Sequence, residues 1–235
     1  MSARPMPLAD AVLPHPGTLG PLARVAREAA LVLGFAALVA VCAQVAVRLP
    51  FTTVPVTGQT FAVLVAGGAL GAWRGAAALT TYLVLGILGV PVYAPTSLEL
   101  GSWGVHLVLP WSGTAGAPWD LSSGGYIVGF IPAAWLVGAL AERGWDRTPR
   151  VVLAMVGGNA LVYVPGLLWL AYLIGSGWVH PGAGRPLADL IPGAGTLQKA
   201  LVGGLYPFVV GDLLKVGLAS LALPGAWALV RRAGR

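Results

Sequence analysis

Six apolar runs set the limits on what this chain can fold into, at about residues 26–47, 57–73, 75–92, 124–140, 151–174 and 206–230. A helix needs about 20 largely apolar residues to cross a bilayer, with a usable range of roughly 17 to 25. The second and third runs sit at the short end of that range. Hydrophobic residues make up 57% of the 235 and charged residues 9%, at a mean hydropathy of +0.82, a balance that excludes a soluble domain. The 34 glycines and 19 prolines suit transmembrane helices whose backbones approach closely. The expected fold is all-α: a polytopic membrane protein of six transmembrane helices over residues 25–235, preceded by a polar N-terminal tail over 1–24.

The basic residues orient this arrangement. Arg4, Arg24, Arg27, Arg74, Arg143, Arg147, Arg150, Arg231, Arg232 and Arg235 all fall on one side of a six-span layout. The other side receives Arg48, Arg185 and Lys199, and Lys215 lies within a span. The positive-inside rule then puts both termini in the cytoplasm. The formal net charge of +6 is spent on these membrane-flanking loops and forms no basic stripe, so no nucleic-acid partner is expected. Two loops on the opposite side, 93–123 and 175–198, are long. The first carries Trp103, Trp111 and Trp119, which read as interfacial anchors or as part of a lid over a cavity.

Enzymatic and metal chemistry find no support. There is no GxxxxGK[ST] loop for nucleotide phosphates and no nucleophile elbow. His15, His106 and His180 are far apart in sequence, without metal-ligand spacing, and the single cysteine, Cys42, lies in an apolar run. No catalytic residue, metal or cofactor is expected.

The polar residues inside the spans are more informative. Asp212 and Lys215 stand three apart within the last run, and therefore share a helix face. Each costs on the order of 2.5–3.5 kcal/mol at the centre of a membrane helix, so the pair needs a reason to be there. A self-neutralising ion pair is one reading; a ligand site facing the bundle interior is the other. That site would suit a molecule with an acid group and an amide or urea. The sequence TGQT over residues 57–60 puts Gln59 and Thr60 at the mouth of the second span, where Gln59 could read a ligand amide, or Thr57 could simply cap the helix with a turn at Gly58. Gly125 and Tyr126, in GGYIVGF, offer close backbone approach and an aromatic wall with a hydroxyl. Asn159 and Tyr163 are four apart and can share one inward face. On the first span, Ala26, Ala30, Gly34 and Ala37 line one face with Ala36 and Ala40 beside it, a surface for a neighbouring helix or a second protein.

LPFTTVPVTGQT, GVPVY, GGYIVGF and PFVVGDLLK, in that order, resemble the BioY family, the biotin-binding S components of energy-coupling-factor (ECF) transporters. The matching blocks cover about residues 49–93, 124–143 and 199–224. The resemblance implies a prokaryotic cell-membrane protein that binds biotin in an outward-facing cavity. Its implied partners are a transmembrane coupling subunit and a pair of ATPase subunits, although some members of the family are thought to work without them. It also implies that Asp212, Lys215, residues 57–60 and residues 124–126 correspond to the family's own motifs, and that the alanine face of the first helix corresponds to its subunit-docking surface. The tryptophan-rich loop before SSGGY departs from the family pattern, so no ligand contact is carried over from it. An S component for another vitamin, such as thiamine or riboflavin, and a proton-coupled carrier using Asp212 are the alternatives.

Overall fold

The computed structural model describes residues 6–13, 16–96 and 103–233. Arg4, His15, Arg235 and part of the 93–123 loop lie outside the described residues. In chain order the helices are α1 (Leu8–Val12), α2 (Pro21–Gln44), α3 (Gln59–Leu70), α4 (Ala72–Ile87), α5 (Gly124–Ala141), α6 (Val151–Gly175), α7 (Leu187–Leu190), α8 (Thr196–Gly204) and α9 (Val209–Ala233). The strands are β1 (Ala46–Arg48), β2 (Val56–Thr57), β3 (Gly104–His106), β4 (Val179–His180) and β5 (Arg185–Pro186). β1 is the middle strand of a three-stranded antiparallel sheet, with Ala46 opposite both Thr57 of β2 and His106 of β3. β4 and β5 form a separate hairpin.

Each expected run corresponds to one observed helix, with limits shifted by a few residues at several ends. Pro21–Gln44, Gly124–Ala141, Val151–Gly175 and the run Thr196–Ala233 are long and apolar enough to cross a membrane. α3 has only 12 residues, about 18 Å at 1.5 Å per residue, well short of a bilayer's hydrocarbon core. It is also the most enclosed, with Ala62, Val63, Leu64 and Ala66 fully buried.

Small residues allow this central placement. A Cβ at Gly67 on α3 would lie 2.4 Å from the Ala134 carbonyl oxygen of α5, so the two backbones touch. Gly71 joins α3 to α4 at φ +86°, which glycine adopts without strain. There Glu142, at the end of α5, accepts the Ala72 backbone N–H at 2.9 Å, satisfying an otherwise orphaned group at the start of α4.

The segment expected to be a polar tail is in part built into the bundle. Leu8 and Ala9 are buried, and Leu8 joins the cluster of Leu64, Val216, Leu223 and Trp227. Asp10 pairs with Arg27 at 2.7 Å and Arg74 at 2.8 Å, tying α1 to α2 and α4. The first span also begins earlier than expected, at Pro21, so Arg24 and Arg27 lie within the helix. The lack of an apolar core in residues 1–20 read as a polar tail, but Asp10 finds its partners on two distant helices.

The alanine face of α2 divides in two. Ala26, Ala30, Gly34 and Ala37 are exposed, and a Cβ at Gly34 would meet nothing within 4 Å. Ala36 and Ala40 are buried at 1% and 5% exposure among the residues of the core. At about 100° per residue these two turn toward α3 and α4, so they are core packing and not part of the outer face.

Candidate functional site

Two elements place the charged pair. α9 starts at Val209, so Asp212 falls in its first turn, where a carboxylate is favoured by the helix dipole. Lys215 follows one turn later, and its Nζ lies 2.7 Å from Asp212 Oδ1. The Lys215 and Asp212 side chains are only 13% and 7% exposed. From α6, Asn159 Nδ2 donates to Asp212 Oδ2 at 3.2 Å, and the Tyr163 hydroxyl donates to the same oxygen in a short bond. The i, i+4 spacing on α6 brings both donors to one acceptor. Breaking a buried pair of this kind costs roughly 3–5 kcal/mol, because the remaining charge is stranded.

A cavity opens onto this cluster, lined by Gln59, Thr60, Tyr126, Tyr163, Asp212 and Lys215 together with Phe130 and Phe208. Its volume of about 50 Å³ holds a few waters. Gln59 is fixed in place: its Nε2 donates to Tyr82 at 2.6 Å and its Oε1 accepts from Thr57 at 2.9 Å. Tyr126 donates to the Gly204 carbonyl at 2.8 Å and stacks edge-on against Tyr163, with ring centroids 6.0 Å apart. The wall is thus aromatic on the α5–α6 side and polar on the α3–α9 side.

Six of the eight residues singled out from the sequence line this cavity; the other two do not. Asn159 stands behind Asp212, on a cleft between α6 and α9. Gly125 points away from the cavity, and a Cβ there would lie 2.4 Å from Trp169 Cβ and 2.5 Å from the Pro165 carbonyl oxygen. Its small size serves the packing of α5 on α6. Val54, Pro55, Ala94, Ser123, Ile127, Phe130, Val162 and Phe208 also line the cavity without having been singled out. Phe130 was within reach, being one turn from Tyr126 on the same helix face. Ala94 was not, because a long loop returns it to the site.

A buried acid–base pair, held by neutral donors and facing a small enclosed cavity inside an apolar helical bundle, defines a membrane-embedded binding protein for a small polar molecule. Comparison with known proteins identifies the kind. The model of the BioY family matches residues 15–232, and the chain belongs to that family. A protein of Rhodobacter capsulatus named biotin transporter BioY is 32% identical over 83% of this chain and 90% of its own length. Its counterpart in Thermotoga maritima, with the same name, is 30% identical over 80% of this chain and 88% of its own. The fold is similar to a crystal structure of the S-component for biotin from an ECF-type ABC transporter. That match has a TM-score of 0.57 and 17% identity, covering 92% of this chain and 94% of the other. The family is one of transporters, which points to a role other than catalysis.

Proposed function

We propose that this protein takes up biotin as the substrate-binding component of an ECF-type transporter. The observation that carries this reading is the buried Asp212–Lys215 pair facing the cavity. Lys215 uses one of its three N–H donors on Asp212, and among the described residues Asp212 Oδ1 accepts only from Lys215. The pair therefore offers an acceptor and a donor side by side, matching the adjacent N–H and C=O of the ureido ring of biotin. Both residues meet the same end of the ligand, as their i, i+3 spacing requires. Gln59, Thr60, Tyr126 and Tyr163 enclose the ring, with Asn159 steadying Asp212 from behind.

In the membrane, α2, α5, α6 and α9 cross the full hydrocarbon core, and the shorter α3 and α4, packed among them, complete the six helices of the domain over residues 25–235. The arginine-rich end carrying both termini faces the cytoplasm, and the strand-bearing end faces outward across the cell membrane. The exposed Ala26, Ala30, Gly34 and Ala37 face meets a transmembrane coupling subunit that works with ATPase subunits.

Titration of purified protein with biotin, and with thiamine and riboflavin as controls, tests the reading. Saturable binding of biotin alone is expected. Asp212→Asn and Lys215→Met are each expected to weaken it by at least ~30-fold, the low end for breaking a buried charge pair. Tight biotin binding by folded forms of both variants would end the proposal.

A further inference from the structure

A second cavity, of about 110 Å³, lies above the first and shares the walls formed by Pro55, Ala94 and Ser123. Two of its polar groups are unused. Thr53 is 3% exposed, and its Oγ1 is buried without a hydrogen-bond partner among the described residues. Such a group costs about 1–3 kcal/mol unless something satisfies it.

The other is on His180, which is 8% exposed and comes from the β4–β5 hairpin. Its Nδ1 accepts the Gly182 backbone N–H at 3.2 Å, so in the neutral ring the proton sits on Nε2. Nε2 has no protein partner among the described residues. Trp178 packs edge-on against the ring, with centroids 5.7 Å apart, and limits its rotation. Burial, reinforced by the charge of Arg48, holds His180 below its ordinary pKa, keeping this single-donor form near neutral pH. The cavity is thus lined by two residues, Thr53 and His180, whose hydroxyl and ring N–H have no acceptor among the described residues. Ser122, by comparison, already donates to the Thr53 carbonyl at 3.4 Å.

What fills this cavity follows from the charge of the inner one. Asp212 and Lys215 neutralise each other, so an ionised ligand group beside them would have no counter-charge of its own. The inner cavity is also far smaller than the roughly 300 Å³ at which small-molecule sites begin, so an elongated ligand must extend into the outer one. Asp120 lines the outer cavity too, but it is exposed, where solvent and salt screen its charge.

We infer that Thr53 and His180 bind the carboxylate end of the ligand and select the free acid over neutral derivatives. This rests on the functional reading above, with the ureido end at Asp212 and Lys215. The test compares binding of biotin and biotinol, its alcohol, by the wild-type chain, the double variant Thr53→Val/His180→Phe and the single variant His180→Gln. The wild-type chain is expected to prefer biotin by at least ~10-fold, since a site built to hydrogen-bond a group discriminates strongly against its loss. The double variant is expected to lose that preference because biotin binding weakens more than biotinol binding, and the biotinol binding that remains shows that its pocket is intact. His180→Gln, which keeps a donor, is expected to retain part of the preference. An undiminished preference in the double variant overturns the inference and leaves the functional reading standing. Failure of the wild-type chain to bind either compound overturns both.

Discussion

Asp10 shows how much one side chain outside the ligand site can hold together. Burial pushes its carboxyl upward in pKa, but hydrogen bonds and charges from Arg74 and Arg27 outweigh this and hold it below the usual carboxylate range. Its folded-state pKa is therefore depressed. The stabilisation is fully present above the unfolded value, near 4, and is lost as pH falls through the folded one. Asp10→Asn should cost about 3 kcal/mol, because the mostly buried Arg27 loses a partner. At roughly 2–4 °C per kcal/mol for a chain of this size, the melting temperature in detergent should fall by about 6–12 °C. The variant should also lose part of the acid-induced drop in stability below about pH 4. A melting curve identical to wild type at neutral pH would show that α1 is not anchored through this residue. The sequence could not point to this network, because Asp10, Arg27 and Arg74 are separated by 17 and 64 positions and meet only when α2 and α4 pack.

Among elements, the α5–α6 contact is the clearest case of a motif with two uses. GGYIVGF read as a ligand block, and Tyr126 does line the cavity, but Gly125 one residue earlier faces the other way. Adjacent helix positions are separated by about 100°, so a contiguous motif cannot present every residue to one site. Gly125→Ala should therefore lower thermal stability, by roughly 1–3 kcal/mol from overpacking against Trp169 and the Pro165 carbonyl. The same melting assay checks it, and an unchanged melting temperature would mean that the two helices can separate at no cost. α2 teaches a similar lesson: six small residues looked like one surface, but Ala36 and Ala40 are buried while Ala26, Ala30, Gly34 and Ala37 are exposed. The Asp212–Lys215 pair was legible because its two members belong to one helix. Asn159 and Tyr163 were legible as an i, i+4 pair, but their shared acceptor on α9 was not.

For the whole molecule, the distribution of arginines and the alternation of helix direction make one prediction together. In a background where Cys42 is replaced by alanine, a cysteine at Arg185, on the exposed β4–β5 hairpin, should react with a membrane-impermeant maleimide in intact cells. A cysteine at Thr148, on the exposed turn between α5 and α6, should react only after the membrane is opened. The reverse pattern would invert the proposed topology and place the cavity's mouth on the cytoplasmic side. By itself, the sequence determined the helical membrane class, the approximate helix limits and the charged pair on α9. Those features depend on composition and on spacing within a single segment, which lipid and helix geometry translate directly into structure. Only the tertiary structure decided that α1 is anchored to the bundle, that Gly125 packs against α6 while Tyr126 lines the cavity, and that Thr53 and His180 line one cavity. Those outcomes depend on contacts between residues far apart in the chain, and such contacts exist only once the helices have packed.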